Sequence, residues 1–364
     1  MNRRTFVATA GVAAAAGTLA APNVWAQARS HRWRMVTTWP PGLPFYQVGN
    51  GSAEYIAKRI DEMSKGRLSI KVFAAGEMVP AFETFDAVSK GTVQMGHGVA
   101  YYWAGKTAAA EYFGTVPFGM NPQGANAWYY EGGGLPLWEE IYKPFNLVPM
   151  PCGNTGIQMT GWFKREIKSV DDVKGLKMRI PGLAGKILAE VGVNVVLLPG
   201  GEIFPALERG VIDAAEWVGP FQDRRLGLHN AAKFYYHSGW HEPSTTSELI
   251  INQKAWESLD GELQAIVRAA ATEANLRSLS WAEANNGPAL EDLIKNHKVQ
   301  LRLLPKDVIA ALRKIADETL ADRAAKDPMA KKVHEAYKKF QGSWTSWAGI
   351  SEATYHQYIR TVAS

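Results

Sequence analysis

Phe85-Asp86-Ala87-Val88-Ser89-Lys90-Gly91-Thr92-Val93-Gln94-Met95 can be laid over Phe204-Pro205-Ala206-Leu207-Glu208-Arg209-Gly210-Val211-Ile212-Asp213-Ala214. Each stretch reads as a short helix, a glycine and a strand, and Gly91 falls on Gly210. A glycine just past the last helical turn takes the left-handed conformation that lets the chain reverse into a strand. Two copies of the phrase predict two similarly built α/β lobes. In an open α/β sheet, ligands sit beyond the carboxyl ends of the strands. That rule points to Gly98–Trp103 in the first lobe and to Glu216-Trp217-Val218-Gly219 in the second, with the two ends facing each other across a cleft.

Outward from these stretches the pattern stays α/β. Trp33-Arg34-Met35-Val36-Thr37-Thr38 reads as an opening strand, stopped by Trp39-Pro40-Pro41-Gly42. Gln47 to Lys65 has apolar residues at helical spacing, and Leu68–Phe73 alternates as a strand. In the second lobe Gly156–Phe163, Leu176–Pro181 and Asn194–Leu198 are strand-like, and Ser169-Val170-Asp171-Asp172 caps a short helix. Beyond Asp260 the texture turns helical: Gly261–Asn286 with a kink expected at Pro288, then 305–326, 330–340 and 351–362. The long helix is expected to cross between lobes or to carry a dimer contact. The expected division is residues 1–28 as a signal, 29–152 plus about 241–285 as lobe I, and 153–240 plus about 286–364 as lobe II and the lobe-spanning helix.

The 364 residues are 46% hydrophobic and 21% charged, a globular composition. The formal charge is +5, but the basic residues are scattered and give nucleic-acid binding no support. Cys152 is the single cysteine, so no intramolecular disulfide can form, and it is expected to be a buried, inert thiol. Arg3 and Arg4 precede the small-residue apolar stretch Ala8–Ala21, and Ala26-Gln27-Ala28 fits a cleavage site. This resembles a Tat-type signal and implies a periplasmic protein starting near Arg29. No second hydrophobic span follows, so the mature protein is expected to be soluble.

Gly175-Leu176-Lys177-Met178-Arg179-Ile180-Pro181-Gly182, followed later by Gly210-Val211-Ile212-Asp213-Ala214-Ala215-Glu216-Trp217, resembles the DctP-type solute receptors of TRAP transporters over essentially all of residues 29–364. Gln158, Arg179, Glu216 and Trp217 together are similar to the subgroup binding 2-oxo and 2-hydroxy monocarboxylates with a metal ion. The resemblance implies a two-lobed periplasmic binding protein that captures a pyruvate- or lactate-like anion and hands it to TRAP permease membrane subunits. Some relatives dimerise through a long helix, so a homodimer through the long C-terminal helix is a further expectation.

Arg179 suits this role because a guanidinium presents a planar fork to a carboxylate. Gln158, Glu216 and the Trp217 main-chain carbonyl offer oxygens for Na⁺, Ca²⁺ or Mg²⁺, with Glu242 as a further carboxylate. Glu216, Glu242, Arg179 and a monoanionic ligand leave two net negative charges, which favours Ca²⁺ over Na⁺ in a poorly hydrated cleft. Tyr101 and Tyr102 are candidate donors to the ligand, and the Trp217 indole a candidate wall. His237 and His241 have the spacing of a zinc pair, but Gly239 lies between them and no HExxH is present. The competing reading is an exported metal-dependent enzyme acting on 2-oxo acids, with His97 and His241 as its nearest candidates for an acid or base.

Overall fold

The computed structural model describes residues 30–362, so the signal-peptide expectation for residues 1–28 lies outside it. Eleven strands form two sheets among the described residues. The first contains β1 (His31–Thr37), β2 (Leu68–Phe73), β3 (Met95–Gly98), β4 (Leu147–Asn154) and β10 (Thr246–Asn252), in the order β2-β1-β3-β10-β4. The second contains β5 (Gly161–Phe163), β6 (Lys177–Arg179), β7 (Asn194–Val196), β8 (Ala214–Ala215), β9 (Phe234–His237) and β11 (Gln300–Leu303), in the order β11-β9-β5-β8-β6-β7.

Read from β7 inward, the second sheet repeats the first. β2, β1 and β3 run parallel and meet β10 antiparallel, while β7, β6 and β8 run parallel and meet β5 antiparallel. The duplicated phrase lies at the same place in each. The helix Thr84–Ser89 leads through Gly91 (φ +74°) into β3, and Gly200–Glu208 leads through Gly210 (φ +75°) into β8. Both turns close alike: Gly91 N–H donates to Val88 and Thr92 N–H to Ala87, as Gly210 N–H does to Leu207 and Val211 N–H to Ala206.

Two chain segments cross between the sheets side by side, after β4 and after β9. They pair through Thr155 N–H to Thr245 O (3.0 Å) and Gln158 N–H to Glu242 O (3.1 Å). The helix Gly261–Lys295 is a third crossing: Leu263, Val267 and Ala274 pack in the first lobe, and Leu293 in the second. It runs through Pro288 rather than ending before it. Proline removes one helical hydrogen bond there, and the burial of Ala289 and Leu293 carries the helix onward. Strand is confined to Gly161–Phe163 within the longer stretch expected from residue 156, because the preceding residues form the crossing.

The C-terminal helices divide differently from the expected partition. Lys306–Lys326 packs Val308, Leu312 and Ala316 onto the second lobe. Pro328–Ile350, a single helix rather than one ending at Phe340, returns to the first lobe with Ala330, Val333 and Tyr337 in the core of Phe85, Trp103 and Trp128. That spacing puts all three on one helical face, and Asp327 caps the helix start through Ala330 N–H (2.8 Å). A further tie joins the lobes at Glu111. This wholly buried carboxylate accepts from Lys186 on the helix Gly182–Glu190 and from Arg323 on Lys306–Lys326. Cys152 is buried in β4, and burial pushes its thiol well above the ordinary range. No helix among the described residues is long and apolar enough to cross a membrane.

Glu248 on β10 is buried in the first lobe, where Trp103 Nε1 and Tyr142 Oη donate to it. Burial pushes its carboxyl up to about 8. A carboxyl raised on folding binds more protons in the native than in the unfolded state between its unfolded and folded values. Stability therefore falls as pH rises through that window. Glu248→Gln is expected to make the decline in melting temperature between pH 5 and pH 8 measurably shallower without abolishing it, because Glu216, Glu242 and Asp223 are raised by burial into the same window. Thermal denaturation at both values measures it.

Candidate functional site

Arg179 is the last residue of β6 and Glu216 follows β8, its parallel neighbour, so the two side chains leave adjacent strand ends together. Both are 1% exposed. Arg179 Nη1 donates to the Glu216 carboxylate and to the Glu216 main-chain oxygen (3.0 Å), and Nε donates to Leu198 O (3.2 Å). Nη2 has no partner. Trp217 lies against the same guanidinium, with its ring centre 5.5 Å from Cζ. Gly200 makes room for that indole, since a β-carbon there would stand 2.6 Å from the ring.

The two crossing segments complete the cluster. Gln158 lies on the first and Glu242 on the second, and both are buried. Gln158 Nε2 donates to Thr155 Oγ1 (3.3 Å), and Thr245 Oγ1 donates to Glu242. Gln158 Oε1, Glu216 Oε2 and Glu242 Oε1 remain buried without partners. His241 joins them: its Nε2 is 3.7 Å from Glu216 Oε2, and one ligand atom from each of Glu216, His241 and Glu242 lies within 4.8 Å of the others.

The electrostatics follow from burial. Desolvation raises the Glu216 carboxyl against the opposing pull of Arg179, and pushes Glu242 up to about 8 with Glu216 as a further cause. Burial is the largest influence on Arg179 and would lower it, but Glu216, Tyr102, Tyr101 and Glu242 together outweigh it and the guanidinium stays above its ordinary value. His241 is driven down to about 4 by burial and is a neutral imidazole at physiological pH. Buried polar atoms are nearly always satisfied, so orphaned oxygens beside an orphaned guanidinium nitrogen fit a group that takes oxygens on one side and donates a carboxylate on the other.

Tyr101 and Tyr102 approach from the first lobe on the short helical turn Ala100–Trp103 rather than on a strand. Burial raises both phenols, Tyr102 to about 12 against the opposing Arg179, and Tyr101 further with Glu242 as its next cause.

Comparison with known proteins places this geometry. The family model for bacterial extracellular solute-binding protein, family 7 (DctP), matches residues 37–327. The chain belongs to the DctP family. The receptor is 45% identical over 366 residues to the monocarboxylate 2-oxoacid-binding periplasmic protein of Nostoc sp. PCC 7120, covering 98% of this chain and 99% of that one. A TRAP transporter solute-binding protein from Bordetella bronchiseptica RB50, a mixed-occupancy dimer with copurified calcium and picolinate, superposes with TM-score 0.89 at 38% identity, covering 92% of this chain and 98% of that one. A TRAP periplasmic solute-binding protein from Pseudoalteromonas atlantica, with bound sodium and pyruvate, superposes with TM-score 0.87 at 41% identity, covering 91% and 99%. The receptor is thus a periplasmic solute-binding component of a TRAP transporter, with the two-lobed α/β architecture expected from the duplicated phrase, and not an enzyme.

The seven residues singled out from the sequence converge at this one place in the receptor, but the sequence reading missed parts of it. His241 entered only as a rejected zinc ligand or enzyme base, and it is in the cluster because it precedes Glu242 on the same crossing. Asp223 had no signal at all. This wholly buried acid accepts from Val218 N–H (3.0 Å), Trp162 Nε1 (2.9 Å) and Tyr235 Oη (2.7 Å), and thereby fixes the loop that carries Glu216 and Trp217. Burial raises its carboxyl to about 7. Asp223→Ala orphans three buried donors, each worth about 1–3 kcal/mol. The expected loss of stability is at least about 3 kcal/mol in urea denaturation, with a smaller loss for Asp223→Asn.

Proposed function

We propose that the receptor captures a small 2-oxo or 2-hydroxy monocarboxylate of pyruvate or lactate type together with a metal cation. It delivers that ligand to the TRAP membrane subunits. The observation that carries the reading is the juxtaposition of Arg179 Nη2 with Gln158 Oε1, Glu216 Oε2 and Glu242 Oε1, all buried and all without partners. Pyruvate and picolinate, bound by the two structural relatives, have one feature in common: a donor atom on the carbon next to the carboxylate. Such a molecule closes a five-membered chelate on a cation. The receptor's oxygens suit the other side of that cation, since oxygen donors are what Na⁺, Ca²⁺ and Mg²⁺ take.

The ion pair supplies a reason for joint binding. Arg179 Nη1 is engaged by Glu216, so only one terminal nitrogen of the fork is free for a carboxylate. A cation that draws Glu216 toward itself releases Nη1, and the full fork then becomes available to the ligand. Glu216, Glu242, Arg179 and a monoanion total two negative charges, which a divalent ion neutralises and Na⁺ does not. We therefore favour Ca²⁺, with Gln158, Glu216, Glu242 and the Trp217 carbonyl as ligands. Tyr101 and Tyr102 would donate to the bound anion.

Export by a Tat-type signal at residues 1–28 belongs to the same proposal, as does a homodimer formed through the C-terminal helices. The dimer is supported by exposed Trp347 and Ile350 near the end of Pro328–Ile350 and by Tyr355, Tyr358 and Ile359 beyond it.

The test is thermal-shift and calorimetric titration with pyruvate, lactate, longer 2-oxo acids and dicarboxylates, with and without Ca²⁺. Monocarboxylates with a 2-oxo or 2-hydroxy group are expected to raise the melting temperature, because a ligand of the folded state alone stabilises it by mass action. Chelation is expected to weaken binding at least about tenfold, and Arg179→Ala to abolish the shift. Unchanged affinity after chelation overturns the metal, and an intact shift in Arg179→Ala overturns the clamp.

A further inference from the structure

The cleft has two chemically different sides. Oxygen donors from the second lobe and the crossing segments make one. Aromatic rings make the other, and the central ring there is Trp39 of the first lobe, in the segment that follows β1. Trp39 is 2% exposed, and its ring centre lies 4.8 Å from Phe45, 6.4 Å from Tyr102 and 6.2 Å from Trp217, the last two contacts edge-on. Trp217 packs on the Arg179 guanidinium, and the Tyr102 phenol is close enough for that guanidinium to oppose its rise. Trp39 is therefore one side chain away from the clamp, reached through Trp217.

Its position is fixed at both ends. The backbone is held by Trp39 N–H to Thr37 Oγ1 (3.3 Å) and by Ala75 N–H to Trp39 O (2.9 Å). The indole Nε1 donates to Nδ1 of His97 on β3 (2.7 Å). His97 is wholly buried, and because Nδ1 accepts, its ring hydrogen is on Nε2. Burial holds this imidazole neutral, down at about 3, so the acceptor persists at any physiological pH.

We propose that Trp39, pinned by His97, is the wall that sets how large a ligand's carbon tail the receptor accepts. The inference rests on the reading of a cation-chelated carboxylate in this cleft. With the carboxylate on Arg179 and the neighbouring donor on the cation, the rest of the ligand extends toward the rings. Pyruvate extends one methyl group. A branched tail has to displace Trp39, which breaks its ring contacts and leaves Trp39 Nε1 and His97 Nδ1 unpaired in a dry site, where such groups are expensive. Specificity then comes from a destabilised wrong complex rather than from added attraction to the right one.

The experiment measures calorimetric affinities for pyruvate, 2-oxobutanoate and 4-methyl-2-oxopentanoate in Ca²⁺ buffer, in the wild type and in Trp39→Phe, Trp39→Ala and His97→Phe. The wild type is expected to prefer pyruvate to 4-methyl-2-oxopentanoate, which is three carbons larger, by about tenfold or more, the scale on which even one methylene is discriminated in apolar pockets. Trp39→Ala is expected to reduce that ratio to about threefold or less. Trp39→Phe, which keeps an aromatic core and so tests the wall should the alanine variant unfold, is expected to fall between, as is His97→Phe. A ratio that stays at the wild-type value in both Trp39 variants overturns the wall. So does an equal loss for all three acids, which would make Trp39 a general closure contact. A wild-type ratio in His97→Phe overturns the pin. Failure of the wild type to bind any 2-oxo acid overturns the proposed function itself, a result read before any variant is compared.

Discussion

A guanidinium and two carboxyl groups buried side by side are the constraint on which the rest of this structure depends. Isolated charges in such a place are prohibitively costly, and even a paired set is retained only where further hydrogen bonds satisfy it. Each surrounding feature meets part of that requirement. The Glu216 carbonyl and Leu198 carbonyl take two of the Arg179 donors, Thr245 serves Glu242, and Asp223 holds the Glu216–Val218 loop from beneath. The shell is nevertheless incomplete: Arg179 Nη2, one oxygen each on Gln158, Glu216 and Glu242, both ring nitrogens of His241 and the Trp217 indole nitrogen have no partner. A protein selected only for stability would replace such a set with apolar side chains. Its persistence makes sense if a ligand and its counter-ion finish the network.

The fold brings these groups together because the same arrangement is built twice. Each lobe has three parallel strands, and a residue of the proposed site stands at or just past the end of the corresponding strand in each. Arg179 ends β6, and Trp39 stands two residues past β1, its counterpart. The antiparallel strands then carry the chain across, so that Gln158 and Glu242 lie on the segments linking the lobes rather than on either lobe alone. A cation held by both segments would bear directly on the relative placement of the lobes. The long helix Gly261–Lys295 and the Glu111 ties to Lys186 and Arg323 act outside the cleft on the same relationship.

Much of this is legible in the sequence, and the reasons differ by residue. The helix, glycine and strand phrase is local, so Gly91 and Gly210 could be read without knowing what packed around them. Arg179 and Glu216 stand in motifs whose spacing is set by adjacent parallel strands. The second crossing was legible only in part: Glu242 could be guessed from its place after β9, while its neighbour His241 looked like half of an unsupported zinc pair. Asp223 and Trp39 were opaque because their roles depend on partners 61 and 58 residues distant, Trp162 and His97, that no local pattern announces. The C-terminal helices were misassigned for a similar reason. An apolar stripe such as Ala330, Val333 and Tyr337 says that a helix is covered, but not by which lobe.

The charged groups and most of the aromatic rings of the proposed site come from different lobes, and this difference bears on how binding could proceed. The charged groups lie on the second lobe and on the crossing segments, which are hydrogen-bonded to each other. On the proposed function, these groups would meet the chelated anion without a contribution from the first lobe. Trp39, Phe45, Tyr101 and Tyr102 belong to the first lobe and share one apolar cluster with Trp217, against which Trp39 packs edge-on. If both proposals hold, charge and chelation would decide entry, while the aromatic face would decide whether the closed state can form around what has entered. Since hinge closure is the motion of this class of fold, a ligand with an oversized tail would be held in an open receptor, and only one that fits beneath Trp39 would bring the full set of lobe contacts, Glu111 with Lys186 and Arg323 included, into place.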